Sequence, residues 1–447
     1  MKQKKGSGLS QIQVIAGGFF IIILIGTLLL CLPIAARGEA AGLLQAFFTA
    51  TSTTCVTGLI VADTYRNWTL FGQAVILLLI QIGGLGFVTI GVFFSIYIRR
   101  TIGLRERTLL QESINTLQLA GVVRLTKRIV KGTFLIEAAG AVLLSIRFIP
   151  RYGWLRGCYY GIFHSVSAFC NAGFDLLGEK EAYASLTQYA DDPLVNITVM
   201  ALIIIGGIGF VVWQDIWENG IHFRKYLLHT KIVLLVTMVL IFGGALLFWL
   251  FERKLLFAGM PLREQILASL FSSVTARTAG FNTVDTGALS GAGKLLTMIL
   301  MFIGGSPGST AGGIKTTTVA VLILYTWNSL RGAGGCSVFG RRVPDEIIKK
   351  ACMVLFLNLF LALCAGIILC VCNPQLAVED IMFEVCSAIG TVGMTTGITR
   401  ELDSISKGIL ILLMYCGRIG SMTFALSFIH KKKVEPVQYP LGRITVG

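Results

Sequence analysis

The chain is expected to fold as an all-α polytopic membrane protein in which four tandem span, re-entrant pore loop and span repeats surround a central pseudo-fourfold pore. Three observations predict this. Hydrophobic residues make up 55% of the 447 residues and charged residues only 14%, whereas a soluble domain carries about a quarter charged residues. Apolar runs at 12–34, 70–98, 130–149, 193–213, 227–251, 294–327, 349–372 and 407–430 match the roughly 20 residues that cross a bilayer as a helix. Between the two runs of each pair lies a short segment that begins at a phenylalanine and closes on a glycine: Phe48 to Gly58, Phe163 to Gly173, Phe271 to Gly280 and Phe383 to Gly393.

The unit recurs about every hundred residues, and self-similarity at a steady period signals repeated architecture. It divides the chain into repeats at 1–98, 130–222, 223–330 and 331–447, the last with a basic tail, and a cytoplasmic linker at 99–129. The first run is too long, and too closely followed by the first segment, to read as a cleaved signal peptide. Lysine and arginine set the orientation. Lys2, Lys4 and Lys5, Arg99 and Arg100, Arg124 to Lys131, Arg224 and Lys225, Arg341 and Arg342, and Lys431 to Lys433 fall on one side. That side is read as cytoplasmic, with both termini on it. Acids such as Glu179, Glu181, Asp191 and Asp192 fall on the other. The net charge of +15 is then topology and contact with anionic headgroups. Because it is scattered over loops, it excludes a nucleic-acid surface. The eleven cysteines show no metal-ligand spacing.

Each Phe-to-Gly segment is only about a dozen moderately polar residues, too short to cross. Irregular backbone at membrane depth is tolerated where it lines a water-filled cavity. A half-helix entering the membrane directs its negative C-terminal end at the axis, which favours a cation. The chain then leaves through Thr54, Cys55, Val56, Thr57 and Gly58 in the first repeat and Cys170, Asn171, Ala172 and Gly173 in the second. The counterparts are Thr278, Ala279 and Gly280 in the third and Thr391, Val392 and Gly393 in the fourth. Carbonyl rings from such loops suit a dehydrated monovalent cation. The plainer reading is that these glycines end short helices or pack them closely. Asp63, Asp175 and Asp285 lie shortly beyond three of the glycines, either gathering cations or serving as solvated loop acids.

The glycines of the second spans, such as Gly83, Gly84 and Gly86, permit close helix packing. Repeat three departs from this pattern. Gly304, Gly305, Ser306, Pro307, Gly308, Ser309, Thr310, Ala311, Gly312 and Gly313 interrupt a run that as a continuous helix would be about 50 Å long. A proline-glycine run does not continue a helix smoothly. It predicts a broken second span whose middle, 304–316, forms a loop at a gate position; the alternative is a simple kink. Lys315, just beyond, either binds the loop's carbonyls or reaches the headgroups. In repeat four Arg418 stands where the others have Gly84, Gly207 and Gly305. Intramembrane arginines face a bundle interior or an aqueous path, so Arg418 either repels cations, pairs with a gate acceptor, or forms a salt bridge with Glu137 or Glu384. In the linker, Leu109, Ile114, Leu117 and Leu119 suggest a short amphipathic helix on the membrane or against a partner.

Ser273–Val284, Gly304–Val319, Gly390–Ile398 and Gly417–Ala425 resemble the Trk/Ktr/HKT superfamily of potassium transporters. Length and the absence of extra N-terminal spans look most like its bacterial Ktr-type membrane subunit. The resemblance covers nearly the whole chain. It implies a potassium filter at Gly58, Gly173, Gly280 and Gly393, a gating loop at 304–316 and a positive barrier at Arg418. It further implies a plasma-membrane homodimer on a separate cytosolic ring of nucleotide-binding regulatory subunits. No cofactor is expected in the chain itself; potassium is the substrate and sodium a candidate coupling ion. Serine at the first filter position accompanies sodium selectivity in plant relatives, so Gly58 argues for potassium over a sodium-translocating version. A third class, an intramembrane hydrolase using Ser306 or Ser309 with His164, needs serine and histidine in hydrogen-bond reach. A receptor or scaffold has no soluble domain to support it.

Overall fold

In the computed structural model, residues 10–98, 102–114, 121–332 and 335–428 are described. Repeat one comprises α1 (Gln11–Leu30), a short α2 (Leu43–Thr54), one-turn α3 (Thr64–Asn67), then α4 (Leu70–Leu85) and α5 (Phe87–Tyr97). After α6 (Leu104–Ile114), repeat two contributes α7 (Val122–Tyr152), α8 (Trp154–Phe169), α9 (Pro193–Gly207) and α10 (Phe210–Asn219). Repeat three is α11 (Leu228–Glu252), α12 (Leu262–Thr275), α13 (Gly291–Phe302) and α14 (Thr316–Leu330). A hairpin of β1 (Ser337–Val338) and β2 (Arg341–Arg342) precedes α15 (Asp345–Cys372), α16 (Val378–Gly390), α17 (Ser404–Ile419) and α18 (Ser421–Phe428).

In each repeat the long first helix packs on its own short helix: α1 on α2, α7 on α8, α11 on α12, α15 on α16. Each second helix packs on the short helix of the following repeat: α4 on α8, α9 on α12, α13 on α16, and α17 back on α2. The last pairing closes a ring. The marker phenylalanines Phe48, Phe163, Phe271 and Phe383 are all buried within the short helices. The first helices expose broad apolar faces, such as Ile21, Leu24, Ile25 and Leu28 on α1 and Phe356, Phe360, Leu363 and Ile367 on α15. Stripes at this spacing on helices long enough to span mark a lipid-facing surface. Each second helix also opens on a side-chain cap: Thr69, Asp192, Ser290 and Asp403 accept from backbone N–H groups of the first turn, each worth about 1 kcal/mol.

The second spans depart from expectation. Runs 70–98, 193–213 and 407–430 were expected as continuous helices with glycines serving close packing; instead α4 and α5 bend by 93°, α9 and α10 by 94°, and α17 and α18 by 100°. The cause is the last glycine of each motif: Gly86, Gly209 and Gly420 sit at φ of +81°, +99° and +89°, a region only glycine occupies freely. The earlier glycines do serve packing: a Cβ on Gly83, Gly206 or Gly417 would strike the carbonyl of Thr54, Phe169 or Ile389. In repeat three the break is longer. Residues 303–315 form an irregular loop between α13 and α14, joined to itself by a parallel bridge between Ile303 and Ile314.

The linker differs too. α7 begins at Val122, inside the segment expected as linker. α6 packs one side inward, with Leu110 fully buried in a cluster with Ile15, Phe19, Val88 and Leu125. Leu117 and Leu119 lie outside the described residues, as do Lys2, Arg99 and the basic tail.

Candidate ion pathway

The four short helices end at Thr54, Phe169, Thr275 and Gly390, and the segments that leave them share one backbone device. Val56, Asn171, Thr278 and Thr391 have φ of +55°, +59°, +74° and +50°. Two residues on, Gly58, Gly173, Gly280 and Gly393 have φ of +97°, +70°, +80° and +91°. Left-handed non-glycine residues are rare and strained, so four in equivalent places mark a constrained site. In an ordinary strand successive carbonyls alternate sides; a left-handed residue breaks that alternation and lets neighbouring carbonyls share one side.

That side is shared. A Cβ on Gly58 would lie 2.5 Å from the carbonyl oxygen of Ala172, and one on Gly173 2.6 Å from that of Ala279. A Cβ on Gly280 would strike the carbonyl of Val392, and one on Gly393 that of Thr57. Each glycine therefore abuts the carbonyl preceding the glycine of the next repeat, and the fourth returns to the first. The structure thus brings together all four segments singled out from sequence. Hydroxyls at the ends of the short helices hold them: Gly58 N and Gly393 N donate to Ser52 Oγ and Ser387 Oγ at 3.1 and 3.0 Å. Ser167 Oγ donates to the Phe174 carbonyl at 2.8 Å and Thr275 Oγ1 to that of Phe281 at 2.5 Å. The hydroxyls of Thr54, Thr57 and Thr391 are buried without a protein partner among the described residues.

The repeat-three loop is wedged against this ring. Ser306 N donates to Gly207 O at 3.0 Å and Thr310 N to Gly206 O at 3.2 Å. Thr310 Oγ1 reaches the carbonyl of Phe169, the last residue of α8, at 3.1 Å. Gly312 and Gly313 lie against Thr391 and Gly390, and no side chain fits between. Arg418 ties the loop to the opposite wall, donating to the carbonyls of Thr310, Gly83 (2.5 Å) and Gly84 (3.0 Å). The salt bridge considered from sequence is not made. Glu137 accepts from Gln81 Nε2 at 3.3 Å and Glu384 from Thr395 and Thr399. The two terminal nitrogens of Arg418 are instead engaged by these three carbonyls. Lys315 binds its own loop, donating to Ala311 O at 2.7 Å. A cavity of about 470 Å³ opens beside the loop, lined by Gly86, Ser309, Lys315 and Arg418 and by Glu112 of α6 and Lys350 of α15.

The three carboxylates beyond the glycines are committed to loop backbone. Asp63 accepts from Arg66 N and Tyr183 N at 2.8 and 2.7 Å, Asp175 from Leu177 N at 3.0 Å, and Asp285 from Gly287 N at 2.9 Å. Asp175 lies in the loop between α8 and α9, outside the spans. Burial pushes its carboxyl up to about 7, opposed by the Leu177 N–H and reinforced by the charge of Asp63. A carboxyl with a raised folded pKa binds its proton more tightly folded than unfolded, so its contribution to stability is full below the ordinary aspartate range and is lost as pH rises through about 7. Asp175→Asn is therefore expected to flatten the fall in melting temperature of the purified protein between about pH 4 and 7, the window between the two pKa values. An unchanged pH dependence in the variant would contradict this assignment. The hydrolase pairing is not assembled: His164 is engaged by Tyr160 O and Leu176 N, and Ser309 by Ser306 O and Ala311 N.

Fold and site together define a multi-pass membrane protein built around a closed ring of backbone carbonyls, the class of cation-translocating transporters. The chain belongs to the TrkH family: residues 11–435 match the family described as cation transport protein. It is 42% identical over 454 residues to the potassium/sodium uptake protein NtpJ of Enterococcus hirae, covering 100% of this chain and 99% of that one. It is 41% identical to the Ktr system potassium uptake protein B of Bacillus subtilis, covering 97% of this chain and 96% of that one. The crystal structure of the potassium transporter TrkH from Vibrio parahaemolyticus shares the fold, with a TM-score of 0.71 at 18% identity over 96% of this chain and 87% of that one. The chain is a cation transporter and not an enzyme.

Proposed function

We propose that the chain takes up potassium across the plasma membrane through the ring at Gly58, Gly173, Gly280 and Gly393. The closed cycle of glycine-to-carbonyl contacts carries this reading: four inward carbonyls replace the water that a monovalent cation sheds. The buried hydroxyls of Thr54, Thr57 and Thr391 support it, since orphaned buried oxygens imply an ion or water as partner. The loop at 304–316, held by Arg418 and Lys315, closes the path until it moves. An inside-negative potential supplies about 2.3 kcal/mol per charge per 100 mV, so uptake proceeds without ATP at this chain. Both termini lie in the cytoplasm on this reading. The chain acts as a homodimer with a separate cytosolic nucleotide-binding ring, in keeping with relatives named as parts of a Ktr system.

Sodium coupling or sodium transport is the second reading, favoured by the name of the Enterococcus hirae relative. Expression in a potassium-uptake-deficient host separates them. Rescue of growth at low potassium, with tracer uptake of potassium or rubidium exceeding that of sodium, is the expected result. Absence of rescue with protein present in the membrane would sink the potassium reading, and rescue only when sodium is added would establish coupling.

A further inference from the structure

The residue that follows each marker phenylalanine is Thr49, His164, Ser272 or Glu384. Two of these are ionisable and fully buried, and they belong to repeats two and four, which face each other across the ring. His164 Nδ1 donates to Tyr160 O one turn back at 2.7 Å, which leaves Nε2 as the acceptor for Leu176 N at 3.4 Å. Leu176 lies three residues past Gly173, on the strand that leaves the ring. The same ring lies over Phe281, the neighbour of Gly280, with centroids 6.4 Å apart.

Glu384 does the corresponding work in repeat four. Its Oε1 accepts from Thr395 Oγ1 and its Oε2 from Thr399 Oγ1 at 2.7 Å. Thr395 Oγ1 in turn accepts from Gly397 N at 2.8 Å, and Thr286 of repeat three donates to the Thr395 carbonyl. Thr395 lies two residues past Gly393. In repeat one the equivalent Thr49 bonds only to Gln45 O in its own helix, and Ser272 makes no side-chain bond to the strand beyond Gly280 among the described residues. From this one position, the diagonal of repeats two and four gains a second brace beyond the helix-end hydroxyls, and the diagonal of repeats one and three does not.

Resting on the reading of this ring as the ion filter, we propose that His164 and Glu384 are positioning residues that brace opposite sides of it and thereby set its discrimination of potassium from smaller monovalent cations. A buried, fully satisfied polar network resists displacement because breaking one bond strands its partners in low dielectric. A ring of oxygens discriminates by its size and rigidity, so fixing two opposite strands limits its contraction around a smaller ion.

The test compares potassium and sodium tracer uptake by the full-length protein in proteoliposomes. Glu384→Ala and His164→Ala are expected to lower the potassium-to-sodium rate ratio roughly tenfold, as loss of a buried hydrogen bond implies. Glu384→Gln and His164→Gln, which keep an acceptor, should retain most of the ratio, and Thr49→Ala all of it. Thr399→Val removes one donor to Glu384 at constant volume, and its ratio decides the matter where an alanine variant does not assemble. A fall in total uptake with an unaltered ratio in these variants would overturn the proposal. Gly393→Ala, assayed alongside, separates the failures. If it shifts the ratio and the brace variants do not, only the brace is wrong; if it does not, the filter reading itself falls.

Discussion

Gly393→Ala is expected to reduce potassium uptake by about a hundredfold or more while leaving the amount of protein in the membrane within about twofold of the parent. The alanine would have to hold φ near +91°, a conformation costing about 1–3 kcal/mol for a side-chain-bearing residue. Its Cβ would also meet the Thr57 carbonyl and lie 2.7 Å from Gly58 Cα and 2.9 Å from the Gly58 carbonyl carbon. All of these are backbone atoms of the adjacent repeat, so no flexible side chain can turn aside. Relief requires the first and fourth segments to separate, which widens the ring proposed as the filter. Since 1.36 kcal/mol is about tenfold in rate, a loss of about 3 kcal/mol of ion stabilisation gives the stated effect. Rubidium-tracer flux normalised to immunoblot signal measures it. Uptake within about threefold of the parent would show that these glycines end helices and nothing more.

The four glycines were legible in the sequence because each follows a polar segment too short to cross and recurs at a steady interval. The left-handed residues before them were not. Val56, Asn171, Thr278 and Thr391 comprise three side-chain types with no common signature, and their backbone conformation depends on the preceding helix end and on the neighbouring repeat. The interruption of repeat three was visible because Pro307 and five glycines fill it. The right-angle bends at Gly86, Gly209 and Gly420 were hidden, because a single glycine inside an apolar run reads equally as packing. Apolar periodicity carries no sign of a bend between two segments that are both helical. His164 and Glu384 stood in view but were assigned to other partners, since a brace depends on which strand passes behind a short helix. That is a property of the closed ring rather than of any local pattern.

Replacing Arg418 with alanine is expected to raise the maximal uptake rate about tenfold with little change in apparent KM. The guanidinium bridges Thr310 of the loop to Gly83 and Gly84 of repeat one, whereas the loop's other bonds to its surroundings run to repeat two through Gly206, Gly207, Phe169 and Phe210 and to repeat four through Gly313 N and Gly417 O. Its removal frees the loop from repeat one while the bonds to repeats two and four stay as its hinge. Hydrogen bonds to charged groups contribute about 1.5–3 kcal/mol each, so their loss shifts the closed arrangement by enough to populate a displaced loop. Repulsion adds to this: a fixed positive charge roughly 7 Å from a passing cation costs about 2 kcal/mol at an effective dielectric of 20. Both effects act on passage rather than on capture at the ring, hence the rate rises and KM stays. Arg418→Lys keeps the charge but lacks the fork that spans three carbonyls, so it should release the tether and retain the barrier, giving a smaller increase. If Arg418→Ala transports no faster than the parent at equal abundance, the arginine is a packing element and the loop is not held by it.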